Sequence, residues 1–572
     1  MATSTTEGSG VAPIYADDER LQPLLGPGGP FEVETVVIDR VPLRDFVRAP
    51  RTIVDIFDMG AAHAKLVHLV HDDERLTFGD VHRQARSLAR ELQDTFGVRP
   101  GDRVAIAMRN LPEFVITFWG VALAGAIVVP LNGWWTGPEL VHVLEDSGVS
   151  VAVMDRERLD RVVHHGRPEG VQLIGVRGAE GDVRFEDLVT GAPIDDAAAA
   201  RLERDDPVTL LYTSGTTGLP KGAVSTNRAV TANIWNMAFA NLREAIVSQR
   251  PPRDPVQSAT LSTAPLFHIG GVASIIGTQM AGAKLILMRK WNVDEALRLA
   301  VEEHVTNFGG VPAVARQILD HPGVEDLGLD VRSFSMGGAA VPPDLPARVI
   351  ELFGDDVQLL NGYGLTETTS AVATNVGAEF AARPESVGRP NLTADLRVEG
   401  PDGAPLGVGE IGELCFRSPQ VVQGYWNNEE ATKATFVDGW FHSGDIGYID
   451  DEGFIHVVDR MKDVVIRGGE NVYCAEVEGV LHEHPAVAQV TIVGVDETAM
   501  GERVCAVVVV RPGAEVTLAD LRRFAASRLA TFKCPEALWI VDELPATATG
   551  KIAKADVRRV VADAGDRMDR LW

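Results

Sequence analysis

Apolar positions along the chain switch repeatedly between the helical and the strand period. Val81, Ala85, Leu88, Ala89, Leu92 and Phe96 recur at helical spacing, with a capping-box-like start at Thr77 and Asp80 and a stop at Gly97. That predicts one amphipathic helix, and residues 104–108 then read as a strand. Residues 114–135 carry no charge and are long enough on paper to cross a bilayer. Gly120 and Gly125 interrupt that run, Pro130 breaks it, and 126–131 has the β-branched texture of a buried strand. A core helix, turn and strand are therefore predicted in its place. A helix near 139–146 and a strand at 149–154 continue the alternation.

Residues 208–212 form the next predicted strand, and from Val224 the pattern turns helical. Strands at 260–267 and 283–288 and a helix at 293–304 come next. Between 400 and 455 short strands are separated by Asp-Gly, Gly-Val-Gly and Asp-Glu-Gly turns, the texture of a small β-rich subdomain. Gly407, Gly409 and Gly412 spell Gly-x-Gly-x-x-Gly, but strand-like 413–417 stands where a dinucleotide site needs a helix. Beyond Arg460 the pattern is α+β, with strands at 487–495 and 503–510 and a helix at 518–529. The predicted class is α/β: a large N-terminal domain of βα-layered subdomains with a small β-rich subdomain, then a small mobile α+β C-terminal domain. The expected boundaries are a flexible tail at 1–45, a large domain at 46–459 and a small domain at 460–572.

A chain of 572 residues, 45% hydrophobic, is long enough for several cores. Lys plus Arg is 53 and Asp plus Glu 81, a net charge of −28, which argues against nucleic acid or an anionic membrane as partner. An anionic ligand then needs a local basic site. The four cysteines (Cys415, Cys474, Cys505, Cys534) are spaced too widely for a Cys-x-x-Cys motif and too few for a secreted disulfide framework, so a cytoplasmic location is expected. Residues 1–30 lack the basic start and apolar run of a targeting peptide. His482-Glu483-His484 is too compressed for helical zinc spacing.

Between the strand at 208–212 and the predicted helix lies Thr213-Ser214-Gly215-Thr216-Thr217-Gly218-Leu219-Pro220-Lys221-Gly222. Its hydroxyls, its glycines and Lys221 suit an anion nest. It is not a Walker A loop, since Lys221 lies between Pro220 and Gly222 instead of preceding Ser or Thr. Taken alone, such composition also fits a plain surface loop. The ordered string resembles the phosphate loop of the adenylate-forming (AMP-binding) superfamily, in its acyl-CoA synthetase or fatty-acid–CoA ligase type. Further segments match that family in order: Ala264-Pro265-Leu266-Phe267-His268, Gly337-Gly338-Ala339-Ala340, Asn361-Gly362-Tyr363-Gly364-Leu365-Thr366-Glu367, Gly439 to Asp445, Asp459-Arg460-Met461-Lys462-Asp463, and Pro545 to Lys551.

The resemblance implies roles. His268 would line the acyl pocket and orient the carboxylate. Gly338, Ala339, Asn361, Tyr363 and Gly364 would enclose adenine, and Thr366 would reach the α-phosphate. Thr213 to Gly218 and Lys221 would hold phosphates, and Glu367, with Thr213, would hold Mg²⁺. Asp445 would bind ribose, and Arg460 would reach ribose or phosphate. Lys551 would bridge carboxylate and phosphate, and Lys462 would be the hinge about which the small domain turns. Asn227 and Cys474 depart from the family's usual histidine and proline. The implied enzyme adenylates a hydrophobic carboxylic acid, with a fatty acid expected, using ATP and Mg²⁺, and transfers the acyl group to coenzyme A. Two alternatives stay open: loading of a carrier protein by a stand-alone adenylating enzyme, and non-catalytic ATP binding. Oligomeric state is not readable, a homodimer being compatible with the sequence.

Overall fold

A computed structural model describes residues 18–194, 201–213, 220–249, 254–467, 470–497, 501–547 and 551–564. Contacts group the chain into two compact units: residues up to Leu396 together with Phe416–Phe441, and Arg397–Cys415 together with the chain from His442 onward. Residues 397–415 and 442–459, expected in the large domain, thus pack with the C-terminal part.

Among the described residues the first unit holds two large sheets. One runs, strand by strand, Lys221–Thr226, Pro207–Thr213, Ile127–Pro130, Arg103–Ala107, Val151–Met154, Gln172–Gly175, Val183–Arg184. The other runs Arg389–Pro390, Ser370–Val376, Gln358–Leu365, Ser333–Gly337, Asn307–Gly310, Ala259–Ser262, Lys284–Leu287, Val67–His71, Glu74–Thr77. Leu69, Leu285 and Leu287 of the second sheet share one core with Val104, Val128, Val151 and Val208 of the first, through helices Phe78–Asp94, Pro112–Leu123 and Ile269–Ala281. The predicted capping box is present, with Thr77 and Asp80 each bonding the other's backbone. The uncharged run folds as helix Pro112–Leu123 and strand Ile127–Pro130, and no helix among the described residues is long and apolar enough to cross a membrane.

Four expectations are corrected. Gly120 does not interrupt the uncharged run: it lies inside the helix, where an added Cβ would stand 3.1 Å from the Ala85 carbonyl oxygen, so glycine serves close helix packing. The N-terminal segment is not loose to residue 45, since Val33–Ile38 pairs with Val41–Phe46. Asp45, fully buried there, holds Arg204 at 3.1 Å and also pairs with Arg228. The chain after the glycine-rich loop is first a strand, Lys221–Thr226, and the helix starts only at Asn227. Ala223, Val224 and Ser225 ladder onto Leu211, Leu210 and Thr209, and that pairing overrides their helical pattern. Finally, the strand expected over 260–267 stops at Ser262. Asn110 captures the next residues, accepting from Leu266 N at 2.9 Å and donating to the Ala264 carbonyl at 3.1 Å.

In the second unit, Val487–Glu497 pairs antiparallel with Gly501–Val510, which pairs in parallel with Ala537–Val541. Helices Cys474–His482, Leu518–Ala526 and Lys554–Ala564 lie in the same unit, as do strands Ile455–Arg460, Val465–Arg467 and Glu470–Val472. The Gly-x-Gly-x-x-Gly run leads into strand Gly412–Arg417, so no dinucleotide turn is formed. The four cysteines are buried and free.

Candidate active site

The first unit gathers its candidates at the carboxyl ends of parallel strands, where open α/β sheets bind ligands. Thr213 and Lys221 face each other across the hairpin, and the Thr213 hydroxyl donates to the Lys221 carbonyl at 3.4 Å. Ser214, Gly215, Thr216, Thr217 and Gly218 lie outside the described residues. The half-buried Lys221 ammonium stands 5.4 Å from the ring centroid of Tyr425. The Tyr425 hydroxyl donates to Glu367 Oε1 at 2.8 Å. Burial first, and the Glu367 charge second, push that phenol above its ordinary range, so it stays a donor.

Gly338 comes after strand Ser333–Gly337 at φ +76°, a conformation glycine adopts without cost, and Ala339 beside it is exposed. The neighbouring strand Gln358–Leu365 carries Asn361, Tyr363 and Gly364 in register, Gly337 opposite Gly362. A Cβ at Gly364 would lie 2.0 Å from the Ser370 oxygen, so only glycine fits there. Thr366 and Glu367 open the short turn after that strand. Asn361 is buried, its amide reaching the Ser386 carbonyl at 3.5 Å.

His268 caps helix Ile269–Ala281, its Nδ1 accepting from Gly270 N at 3.3 Å. In the neutral ring the proton therefore sits on Nε2, which can donate. Phe267 meets Trp134 edge-on at 5.5 Å, and the Arg109 guanidinium lies 4.2 Å over Trp134, which is 43% exposed and not core. Gly271 packs directly on the preceding segment, since an added Cβ there would strike the Pro265 oxygen at 2.3 Å. At Gly277, on the face shared with Gly270, Ala273 and Ser274, an added Cβ would meet nothing within 4 Å.

The second unit carries the other candidates. Asp445, 3% exposed, lies opposite Arg460 in an antiparallel pair, with Arg460 Nε 3.1 Å from its Oδ1. The Lys551 carbonyl accepts from Thr547 N–H at 2.7 Å, and the next residue, Ile552, bridges Ala546. The Lys551 ammonium is held below the ordinary lysine range by burial first and by Arg460 second, with Asp445 opposing, which places all three within electrostatic reach. Lys462 is exposed on the turn Met461–Asp463. Arg558 bonds its carbonyl at 3.2 Å and the Asp463 carboxylate at 2.7 Å, and the Cys474 thiol donates to the Asp463 carbonyl at 2.9 Å. Cys474 is a packed thiol whose burial pushes its pKa up. Glu399, Cys415 and His442 also converge, but Glu413 already accepts from His442 Nδ1 at 3.0 Å and Arg397 pairs with Glu399, a polar network that buttresses the strand of Asp445.

Sequence reasoning missed Tyr425 and Asn110. Neither sits in a motif whose residue types announce a charge partner, and both act through segments distant in sequence. Asn227, by contrast, finds an explanation: its side chain accepts from Ile53 N and donates to the Glu203 and Asp206 carbonyls, a structural knot beside the hairpin.

The profile of the AMP-binding enzyme family matches residues 57–426, and that of the AMP-binding enzyme C-terminal domain matches 476–551. A feruloyl-CoA synthase of Amycolatopsis sp is 36% identical over 87% of this chain and 96% of its own length. The long-chain-fatty-acid–CoA ligase FadD13 of Mycobacterium tuberculosis is 33% identical over 85% and 93%. The structure of o-succinylbenzoate CoA synthetase (MenE) from Bacillus subtilis with its acyl-adenylate intermediate aligns with a TM-score of 0.74 at 28% identity, covering 88% of this chain and 97% of that one.

Proposed function

The chain belongs to the AMP-binding enzyme family, and we propose that it works there as an AMP-forming acyl-CoA ligase on a hydrophobic carboxylic acid, aliphatic or aromatic, with coenzyme A as acceptor. One observation carries the reading. Of nine lysines in the chain, Lys221 and Lys551 are half-buried with no described carboxylate oxygen within 4 Å. Half-buried cations with no carboxylate in direct contact, in a chain of net charge −28, mark where an anionic ligand supplies one.

A carboxylate is a poor acyl donor. Attack of its oxygen on the α-phosphorus of ATP expels pyrophosphate and leaves a mixed anhydride, which a thiol then cleaves, releasing AMP. Both partners of the first step are anions, so Lys551 and Lys221 stabilise the charge that builds. His268 Nε2–H orients the carboxylate, and Thr366 donates to an α-phosphate oxygen. Asp445 accepts from the ribose hydroxyls beside Arg460, and the segments around Gly338, Ala339, Asn361, Tyr363 and Gly364 enclose adenine. Glu367 fits a magnesium ion: it offers hard carboxylate oxygens, and no described residue donates to its Oε2. When bound, that ion supplies positive charge beside the phosphates. Thr213 is the weaker candidate ligand, its hydroxyl turned to the Lys221 carbonyl. For the thiol step Lys551 withdraws by rotation at Lys462.

Open space at Gly277, one helical face along from His268, supports a long or ringed acyl group. The test is AMP release by the full chain across fatty, aromatic and amino acids, with and without coenzyme A. Thioester formation from one hydrophobic class supports the proposal. Pyrophosphate exchange indifferent to coenzyme A points to a carrier protein, and silence across the panel rejects the substrate class.

A further inference from the structure

Residues 422–426 pack along the hairpin that carries Lys221. Val224 N donates to the Gly424 carbonyl at 3.1 Å, Gln423 N to the Val224 carbonyl at 3.0 Å, and Trp426 N to the Gly222 carbonyl at 2.7 Å, with Ala223 bridged to Tyr425. On the other side Val422 N donates to the Glu367 carbonyl at 2.9 Å. Tyr425 N is itself held by the Thr432 hydroxyl at 2.9 Å, and its ring meets Phe436 at 5.8 Å. The backbone of this segment is thus zipped to both the lysine hairpin and the glutamate turn. The Tyr425 side chain lies between their functional groups, hydroxyl on Glu367 Oε1 and ring face 5.4 Å from the Lys221 ammonium.

We propose that Tyr425 is a positioning residue for the triphosphate end of the nucleotide. Its hydroxyl fixes the Glu367 carboxylate in the orientation that ligates a cation, and its ring holds the Lys221 ammonium beside the phosphates. The inference rests on the ligase reading above. A carboxylate that accepts through Oε1 cannot swing freely, so its second oxygen is presented in one direction, and the order needed for metal binding exists before the metal arrives. The ring contributes separately, since a lysine within about 6 Å of an aromatic centroid is attracted to its face without losing its ability to donate to phosphate. One residue therefore couples two charges of opposite sign.

The two functions separate by substitution and by magnesium. Tyr425→Phe keeps the ring and removes the hydroxyl; Tyr425→Leu removes both. The measurement is calorimetric titration of the full chain with ATP in EDTA and with MgATP. Tyr425→Phe is expected to leave the metal-free Kd within about twofold and to weaken MgATP about tenfold or more, the scale of one hydrogen bond to a charged group. Tyr425→Leu is expected to weaken metal-free ATP as well, by roughly two- to fivefold. In a Glu367→Ala background Tyr425→Phe should cost nothing further. Equal losses with and without magnesium, or losses of Tyr425→Phe and Glu367→Ala that multiply, overturn the proposal. If Tyr425→Phe melts early, the ratio of its two Kd values still decides, because a partly unfolded sample loses both affinities alike. A parent chain that binds no MgATP rejects the nucleotide reading itself, whereas a parent that binds it beside an unaffected Tyr425→Phe rejects only this inference.

Discussion

Replacing Lys551 by methionine keeps the length of the side chain and removes its charge. Two opposite effects arise from the same surroundings. Burial first, and Arg460 second, disfavour the ammonium, with Asp445 offsetting part of that cost. The folded protein therefore carries a charge it holds less comfortably than the unfolded chain does. Removing one positioned donor to developing charge costs about 2.7 to 4 kcal/mol, so acid-dependent pyrophosphate exchange is expected to fall roughly 10² to 10³-fold in Lys551→Met. Stability should move the other way: Tm stays level or rises at neutral pH. Linkage sets the sign with pH. Between the lowered folded pKa and the ordinary lysine value of 10.5, the unfolded chain binds more protons, so the parent gains stability as pH rises through that window. The Tm advantage of Lys551→Met should shrink as pH approaches 10.5, and the parent's exchange rate should turn down on the alkaline side before an ordinary lysine would titrate. Exchange that survives the substitution, or a Tm that drops alongside activity, refutes the assignment, because Lys551 would then be either idle or structural.

Lys462→Pro, on a turn tied to the helix Lys554–Ala564 through Arg558, is expected to leave pyrophosphate exchange within a few fold while slowing thioester formation; equal loss of both steps rejects the hinge. Asp445→Asn leaves Arg460 without its carboxylate, and the KM for ATP should rise about tenfold or more with little change in the KM for coenzyme A. Gly271→Ala drives a methyl against the Pro265 carbonyl oxygen and should cost about 1–3 kcal/mol in a denaturant titration. Gly277→Leu, with open space at its Cβ, should hold or raise Tm and shift selectivity toward shorter acids.

Much of the fold could be read from the sequence wherever local preference and tertiary pairing agree. Thr77 and Asp80 announce a helix start that the fold then uses unchanged. The misreadings occur where a distant partner decides. Val224 to Thr226 look like the opening of the long helix after them, yet the ladder to Thr209 through Leu211 makes them strand. Residues 263–267 continue a strand by texture, but Asn110, far back in the chain, takes the hydrogen bonds a strand would need. Gly120 looks like a breaker, and it is the neighbouring Ala85 and Leu88 that require it. The candidate site obeys the same rule. Asp445 and Arg460 are legible as motifs, while the hydrogen bond of Tyr425 to Glu367 joins residues 58 apart and leaves no trace in spacing.

The division of labour between the two basic residue types sets the site apart in a way that neither motif nor geometry does alone. Only nine of the 53 basic residues are lysine. The structural ion pairs fall mostly to arginine: Arg204 and Arg228 on Asp45, Arg44 and Arg417 on Asp395, Arg158 on Asp155, Arg558 on Asp463. Arginine suits that work, since a planar fork that stays charged can be built into a fixed pair. Lysine is the rarer cation: four of the nine pair with carboxylates, Lys284 with Glu303, Lys433 with Glu429, Lys533 with Glu476 and Lys554 with Glu478, and three stand at Lys221, Lys462 and Lys551. A compact, flexible ammonium can track a phosphate oxygen through a change of geometry and can leave again. An arginine at Lys551 would hold Asp445 as Arg460 already does. On the ligase reading, a site that grips an anion in one half-reaction and releases it for the next would be better served by lysine, and what separates Lys221 and Lys551 from the paired lysines is that no described carboxylate oxygen lies within 4 Å of them.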